Sequence, residues 1–199
     1  SFMLSFDPSS DGQARDHLDE LWKKLIDGGQ ALMPLDSYPF SERYGWVKDR
    51  YGLTWQLILT DPDGEPRPFI IPSLLFADKE TNHAEEAIKF YVSVFRNAKI
   101  GALARYPEGA EPNQPGSLMF GDFMLADQWF SAMDSGIDHE FTFNEAVSFA
   151  VVCKDQAEID FYWEKLSSDP QFEQCGWCKD PFGVSWQIIP EDIEELMER

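Results

Sequence analysis

An internal repeat constrains this chain more than any other feature of its sequence. Residues 44–58 align without gaps on residues 175–189, and Gly, Trp, Lys, Asp, Gly, Trp, Gln and Ile recur at matching places. The match continues upstream, with two changes in length, to residues 1–2 and 148–149. Because self-similarity of this kind marks a structural unit that is used more than once, the chain is predicted to contain at least two copies of one supersecondary unit.

Each copy is predicted to have the element order βαβββ, which is clearest near the end of the chain. Residues 147–153 are mainly β-branched and aromatic, which is typical of a strand. Residues 157–166 carry apolar side chains three and four positions apart, which predicts a helix. Asp155 is a candidate N-cap, because its carboxylate accepts hydrogen bonds from the free N–H groups of the first turn. Two or three strands follow, with a tight turn at 180–183.

The middle of the chain supplies a third, more divergent unit with the same order. A predicted strand at 69–76 precedes a helix at 82–95, and further strands are predicted after it. The sequence therefore predicts five segments along the chain. They are the first unit (1–60), a linker (61–67), the second unit (68–134), the third unit (146–190) and an amphipathic C-terminal helix (191–199).

The third unit also carries a resemblance to a known family. Residues 141–149, 156–166 and 175–187 resemble PhnB-like proteins of the vicinal-oxygen-chelate superfamily, which includes glyoxalases, bleomycin-resistance proteins and extradiol dioxygenases. These proteins also carry the family name 3-demethylubiquinone-9 3-methyltransferase. The resemblance covers nearly the whole chain, and it implies an α+β fold in which repeated βαβββ modules pair into a curved mixed sheet around a cavity.

The same resemblance implies how the units combine. The second and third units are expected to form one complete two-module domain over 68–190, because modules of this superfamily work in pairs. The first unit, 1–60, is then a lone module whose upstream half is absent from the sequence. Since half a cup leaves an apolar face and sheet edges exposed, we expect two chains to pair their first units in a homodimer.

The net negative charge of the chain limits the classes of molecule that it is expected to bind. Lys and Arg number 16 against 36 Asp and Glu, a formal net charge of −20. Nucleic acids and anionic membrane surfaces need a basic face, so neither is expected as a partner. No run approaches the roughly 18–20 apolar residues that span a bilayer. Three cysteines form no disulfide framework, and with no export signal they predict a cytoplasmic location. Cys175 and Cys178 are predicted to be buried.

Metal binding is not expected, and no cofactor is predicted. The resemblance implies that metalloenzymes of the superfamily take His or Glu from the first strand of a module and Glu from its last strand. The matching last-strand positions here are Gln56 and Gln187, and the first-strand positions are Ser1 and Ser148. Amides and hydroxyls bind divalent transition metals weakly beside carboxylates and imidazoles. A glycine-rich loop for a methyl donor is also missing, so enzymatic activity is left open.

A small group of side chains is predicted to line the cavity of the third unit. On the last strand Ser185 and Gln187 are expected to point into the cup with Ser148 and Trp177, while Trp186 packs under the helix. Asp134, at the end of the second unit, is either a carboxylate at the same mouth or the cap of a turn. An alternative is that the polar side chains satisfy one another in a filled cup.

The sequence therefore favours a small-molecule-binding protein of PhnB type with a metal-free cavity and an unknown ligand. One alternative is a divalent-metal-dependent lyase or dioxygenase of the same superfamily. Another is the methyltransferase activity that the family name implies, and a third is a purely structural role. Fold alone does not decide between them.

Overall fold

The computed structural model describes residues 1–139 and 142–193, which contain three α-helices, two short 3-10 helices and eleven strands. The helices are α1 (Ala14–Leu25), α2 (Ala84–Val94) and α3 (Gln156–Leu166). The strands are β1 (Phe2–Phe6), β2 (Gln30–Tyr38), β3 (Ser41–Lys48), β4 (Thr54–Leu59), β5 (Ile70–Phe76), β6 (Lys99–Arg105), β7 (Leu118–Leu125), β8 (Gln128–Asp134), β9 (Ser148–Cys153), β10 (Trp177–Lys179) and β11 (Ser185–Pro190). The predicted helix at 191–199 lies mostly outside the described residues. No helix in the described ranges is long and apolar enough to cross a membrane.

The predicted element order is found in full in the first two units and with one strand fewer in the third. The first and second units read βαβββ, and in the third unit β9 and α3 are followed by two strands, β10 and β11. Helix α3 begins where the sequence predicts, because the side chain of Asp155 accepts a hydrogen bond from Glu158 N at 2.9 Å. Glu158 in turn accepts one from Lys154 N at 3.0 Å, so the first turn is closed from both sides.

The recurring Asp of the repeat has a specific structural role. Asp49 accepts hydrogen bonds from the backbone N–H groups of Tyr51 and Leu53 and from the indole of Trp55. Asp180 does the same at the equivalent turn, accepting from the backbone of the two matching residues and from the indole of Trp186 at 2.8 Å. The shared spacing of Asp and Trp is therefore explained by a carboxylate that closes the turn and fixes the tryptophan on the following strand.

The first and second units share one eight-stranded sheet with the order β2-β3-β4-β1-β5-β8-β7-β6. Its two halves meet where β1 runs antiparallel to β5, with Phe2 opposite Pro72 and Met3 opposite Ile71. The structure therefore differs from the expected arrangement, in which 1–60 had no partner within the chain and the second unit paired with the third.

The position of the linker gives a physical reason for this pairing. Strand β4 is parallel to β1, and β1 is antiparallel to β5, so the linker at 61–67 joins two antiparallel strands that are separated only by β1. Such a connection spans about 10 Å, twice the spacing between neighbouring strands. Short connections between elements that lie close together are the general rule.

The third unit forms a separate three-stranded sheet with the order β10-β11-β9. It packs through its helix-bearing face on the second unit, since one hydrophobic core includes Ile88 and Tyr91 of α2 together with Tyr162, Phe182 and Trp186 of the third unit. This packing leaves the opposite face of the three-stranded sheet turned away from the core.

Candidate functional site

The face of the third unit that points away from the core carries the residues predicted to line a cavity. We call it the outer face, and it comprises Ser148, Ala150, Val152, Trp177, Lys179, Ser185 and Gln187. Strand register places these residues in three rows. Trp177 lies opposite Gln187 and Gln187 opposite Ala150, Lys179 lies opposite Ser185 and Ser185 opposite Ser148, and Val152 lies opposite Ile189. Residues directly opposite in a sheet project from the same face.

A side-chain hydrogen bond orders the centre of the outer face. Gln187 Nε2 donates to Ser148 Oγ at 2.7 Å, and the Gln187 side chain is only partly buried. Ser185 behaves differently, because it is 2% exposed and its Oγ has no hydrogen-bond partner among the described residues. A buried hydroxyl without a partner costs free energy that a ligand or a water molecule can recover.

Trp177 and Ser185 line an open cleft with a volume of about 440 Å³. Lys179 lies in the same wall, with its Nζ 2.5 Å from Glu145 Oε1 and 3.8 Å from the centre of the Phe172 ring. The hydrogen bond from Lys179 lowers the pKa of the Glu145 carboxyl. The two charges therefore offset each other, and the cleft combines an indole and a phenyl ring with a neutralised ion pair.

The repeat supplies an enclosed version of the same surface in the first unit. Gln56 is equivalent to Gln187 but is 1% exposed. Its Oε1 accepts a hydrogen bond from Tyr44 Oη at 2.8 Å, and its Nε2 donates to Ser73 Oγ at 3.1 Å. Burial raises the pKa of Tyr44 above its ordinary value. The second unit thus covers the first, and the polar side chains here satisfy one another.

The enclosed surface is filled mainly by large apolar side chains. Met3, Ile71 and Trp129 form a buried cluster there. Two polar atoms nevertheless lack hydrogen-bond partners among the described residues, namely Trp46 Nε1 and Ser131 Oγ. Trp46 is equivalent to Trp177 in the repeat, so the same indole is enclosed in one copy and accessible in the other.

Asp134 is not brought to the outer face by any contact in the described residues. Its Oδ1 accepts a hydrogen bond from Ala84 N at 3.0 Å, at the start of α2, and its Oδ2 accepts one from Leu118 N at 2.9 Å. Burial raises the pKa of this carboxyl. Both oxygens thus bond to the backbone of the second unit, which corresponds to the capping role that the sequence left open.

Sequence reasoning missed Lys179, Glu145 and Phe172 as parts of the cleft. Lys179 recurs in the repeat, and strict alternation from Trp177 would have placed it on the outer face. Glu145 and Phe172 lie in connections, where no periodic signal marks them.

The prediction that Cys175 is buried was wrong, because its thiol is exposed, whereas Cys178 is buried. No group of three or more His, Cys, Asp or Glu side chains arranged to hold a metal occurs within 1–139 and 142–193.

Comparison with known proteins places the chain among PhnB-like folds. The family model described as 3-demethylubiquinone-9 3-methyltransferase matches residues 3–58 and 68–189. A putative 3-demethylubiquinone-9 3-methyltransferase, the PhnB protein from Bacillus cereus, is 35% identical with a TM-score of 0.52 over 60% of this chain and 97% of that one. A glyoxalase I mutant from Zea mays is 13% identical with a TM-score of 0.49 over 99% of this chain and 68% of that one. No curated protein matched the sequence.

Proposed function

This chain belongs to the 3-demethylubiquinone-9 3-methyltransferase family, within the vicinal-oxygen-chelate superfamily, and we propose that it binds a small uncharged organic molecule on the outer face of its third unit. The observation that carries the proposal is the open cleft that Trp177 and Ser185 line, together with the buried Ser185 hydroxyl, which has no hydrogen-bond partner among the described residues. A hydrogen-bonding ligand atom satisfies this hydroxyl, and the indole of Trp177 supplies an apolar surface for the rest of the molecule.

The electrostatics of the cleft support an uncharged ligand. Lys179, its one cationic group among the described lining residues, is already paired with Glu145. The net charge of −20 adds a repulsive field for anions. A flat or partly aromatic molecule with one hydrogen-bonding group therefore fits better than a phosphate or a carboxylate.

The contrast between the two copies of the repeat also supports binding at the third unit. In the first unit the amide of Gln56 has protein partners on both of its polar atoms. In the third unit Gln187 donates to Ser148, and its Oε1 has no described protein donor. The alternative of a filled cup thus fits the enclosed surface of the first unit, where Trp46 Nε1 and Ser131 Oγ are the two buried polar atoms without a described partner, and the third unit retains polar groups that a ligand can use.

We also propose a cytoplasmic location for the protein, and we do not retain the homodimer predicted from the first unit. The three cysteines are free thiols, which supports a reducing, cytoplasmic environment. A homodimer built on the 1–60 unit is not part of the proposal, because the edge of β1 that such a dimer would use already pairs with β5.

A screen of uncharged aromatic fragments, followed by thermal shift and titration calorimetry, tests the proposal. We expect fragments that raise the melting temperature, because a ligand that binds only the folded state stabilises it. Ser185→Ala should weaken their binding about fivefold, the equivalent of roughly 1 kcal/mol for one hydrogen bond. The matched control is Thr54→Val, which removes the hydroxyl at the equivalent, enclosed position of the first unit and should leave the affinity unchanged. Equal affinities of wild type and Ser185→Ala, or no binding fragment, would refute binding in this cleft.

A further inference from the structure

Two connections of the first unit are longer than their counterparts in the third unit. Residues 7–13 join β1 to α1, whereas residues 154–155 join β9 to α3. The chain then returns from α1 through β2, a strand that the third unit replaces with a short 3-10 helix, Pro170–Phe172. The outer face contains none of these residues of the first unit, so the binding proposed there leaves them without a function.

The longer connections of the first unit meet at an open cleft with a volume of about 620 Å³. Loop 7–13 and the turn between β2 and β3 form its walls, and residues 59–62 after β4 complete it. We call it the hairpin cleft. Its main aromatic and charged lining residues are Asp11, Arg15, Tyr38, Phe40, Glu42 and Asp61. None of its described lining residues belongs to the cleft of the third unit, so the two clefts are separate.

Two aromatic rings on the turn between β2 and β3 give the hairpin cleft an apolar surface. Tyr38 and Phe40 are stacked, with ring centroids 5.6 Å apart and an angle of 17° between the rings. The hydroxyl of Tyr38 donates to Pro34 O at 2.9 Å, and the ring of Phe40 meets that of Tyr44 edge to face at 5.0 Å. Phe40 is nevertheless 55% exposed. The ring is therefore held in place and left uncovered, which suits it to pack against a planar group of a ligand.

Three charged side chains of the hairpin cleft, Arg15, Glu42 and Asp61, have no ion-pair partner among the described residues. A fourth, Asp11, is already paired with His17, whose Nδ1 lies 2.6 Å from its Oδ2. One guanidinium and two carboxylates therefore line the same cleft without neutralising one another. The cleft of the third unit differs in this respect, because its cationic group is already paired.

We propose that the hairpin cleft binds a small zwitterion with an apolar ring, which is the chemistry of an aromatic amino acid. The guanidinium of Arg15 pairs with the carboxylate of the ligand, and Glu42 and Asp61 receive its ammonium group. The ring of the ligand packs on the exposed face of Phe40. Each unpaired charge of the cleft then has a partner. This site does not depend on binding at the outer face.

The charges of the hairpin cleft favour a zwitterion over a ligand with a single charge. A free anion enters the field of a chain whose net charge is −20 and meets two carboxylates in the cleft. A cation leaves the guanidinium of Arg15 without a partner and is repelled by it. A zwitterion has no net charge, so the overall field opposes it little, and both of its ends are stabilised locally.

Titration calorimetry of the full chain with three ring-bearing probes tests the proposal. The probes are L-phenylalanine, phenethylamine, which lacks the carboxylate, and hydrocinnamate, which lacks the ammonium group. L-phenylalanine should bind more tightly than either, by about threefold, because one exposed ion pair contributes up to about fivefold in affinity. Equal or weaker binding of L-phenylalanine, or no heat of binding up to about 10 mM, would overturn the proposal.

Variants of the lining residues locate the site and separate the two charges of the ligand. Arg15→Gln should weaken the binding of L-phenylalanine about threefold but not that of phenethylamine, because only the carboxylate loses its partner. Glu42→Gln should weaken the binding of L-phenylalanine by about the same factor but not that of hydrocinnamate. Phe40→Leu should weaken the binding of all three probes, because each packs on this ring.

Each variant has a control with a matched change outside the hairpin cleft. Lys24→Gln removes a positive charge and Glu20→Gln a negative charge from exposed positions on α1, and Phe161→Leu removes an exposed ring from α3. All three controls should leave the affinities unchanged. Control variants that weaken binding as much as Arg15→Gln and Glu42→Gln do would show an effect of the overall charge and would contradict the site.

The same titrations distinguish this site from the outer face. Ser185→Ala, in the cleft of the third unit, should leave the affinity for L-phenylalanine unchanged. If Ser185→Ala weakened this binding while Arg15→Gln and Glu42→Gln did not, the ligand would lie on the outer face and the hairpin cleft would be ruled out as its site.

Discussion

Tyr91 donates its hydroxyl to Asp180 Oδ2 over 2.7 Å, and this hydrogen bond joins the second unit to the third. The same oxygen accepts the indole N–H of Trp186 at 2.8 Å. Tyr91 and Asp180 are both buried, at 1% and 3% exposure. The carboxylate therefore closes the turn of its own unit and also anchors that unit on α2.

Removing this contact is expected to destabilise the folded chain as a whole. Tyr91→Phe should lower the free energy of unfolding by about 1 to 3 kcal/mol, because a buried hydrogen bond to a charged group is lost. Urea denaturation measures the change. Tyr162→Phe is the control, since Tyr162 is also buried but its hydroxyl makes no hydrogen bond to the described residues, and it should cost less than about 1 kcal/mol. Equal costs for both variants would contradict the role of the Tyr91–Asp180 bond.

Stability should also depend on the ionisation of Asp180. Burial raises the pKa of this carboxyl above its ordinary value of 3.8, although the hydrogen bonds from Trp186 and Tyr91 oppose the shift. The folded state then holds the proton more tightly than the unfolded state, so the stabilisation is complete below the ordinary pKa and is lost as the pH rises through the folded pKa. The free energy of unfolding of wild type minus that of Asp180→Asn should therefore decrease from about pH 4 to about pH 7. A difference that increases with pH would contradict the assigned direction.

The two equivalent glutamines should differ in their contribution to stability. Gln56→Leu leaves the buried Tyr44 hydroxyl without its acceptor and should cost about 1 to 3 kcal/mol. Gln187→Leu, on the partly exposed outer face, should cost less than about 1 kcal/mol. Thermal or urea denaturation of both variants measures the difference. If Gln187→Leu proved the more destabilising, the outer face would be closed in solution and not open.

The three thiols should react at very different rates in the native protein. Cys175 is exposed, whereas Cys153 and Cys178 are buried. Burial raises the pKa of the Cys178 thiol to about 11 and also raises that of Cys153, which further suppresses their thiolates. One thiol per chain should react rapidly with Ellman's reagent, and Cys175→Ser should abolish that reaction. Rapid labelling of a second thiol would show that the third unit opens readily.

Much of the fold could be predicted from the sequence because the repeat is strong. The α+β fold of βαβββ units is confirmed, and so are the N-cap at Asp155 and the core position of Trp186. These features depend on local patterns, namely periodicity, a capping side chain and alternation along a strand. Local patterns are the part of a fold that a single sequence expresses most directly.

The pairing of the units could not be predicted in the same way. β1 and β9 are equivalent strands with similar edges, so nothing in their residues indicates which of them takes β5 as a neighbour. The choice depends on how the strands are connected in space. The linker at 61–67 follows β4, and it has to cross only β1 to place β5 on the far edge of β1. The resemblance to paired modules had instead predicted that the second unit pairs with the third unit, which follows it in the chain.

The glycines of the repeat show a further limit of sequence reasoning. A Cβ on Gly45 would lie 2.5 Å from Trp22 Cζ3, so this position needs glycine because a ring packs against the backbone. Gly176, its equivalent, has a φ of +83°, and a Cβ there would lie 2.7 Å from Ile188 O. The same letter is thus retained for two different reasons, and the sequence alone does not distinguish them.

The enclosure of Gln56 and the exposure of Gln187 have a consequence for how this family diversifies. A change at Gln56 disturbs packing between two units, whereas a change at Gln187 alters only a surface that faces solvent. The repeat therefore contains one copy in which this glutamine is held between two units and another in which it lies on an open surface. Among relatives that share this arrangement, we expect the residues of the outer face to vary with the ligand and the residues of the enclosed surface in the first unit to vary little.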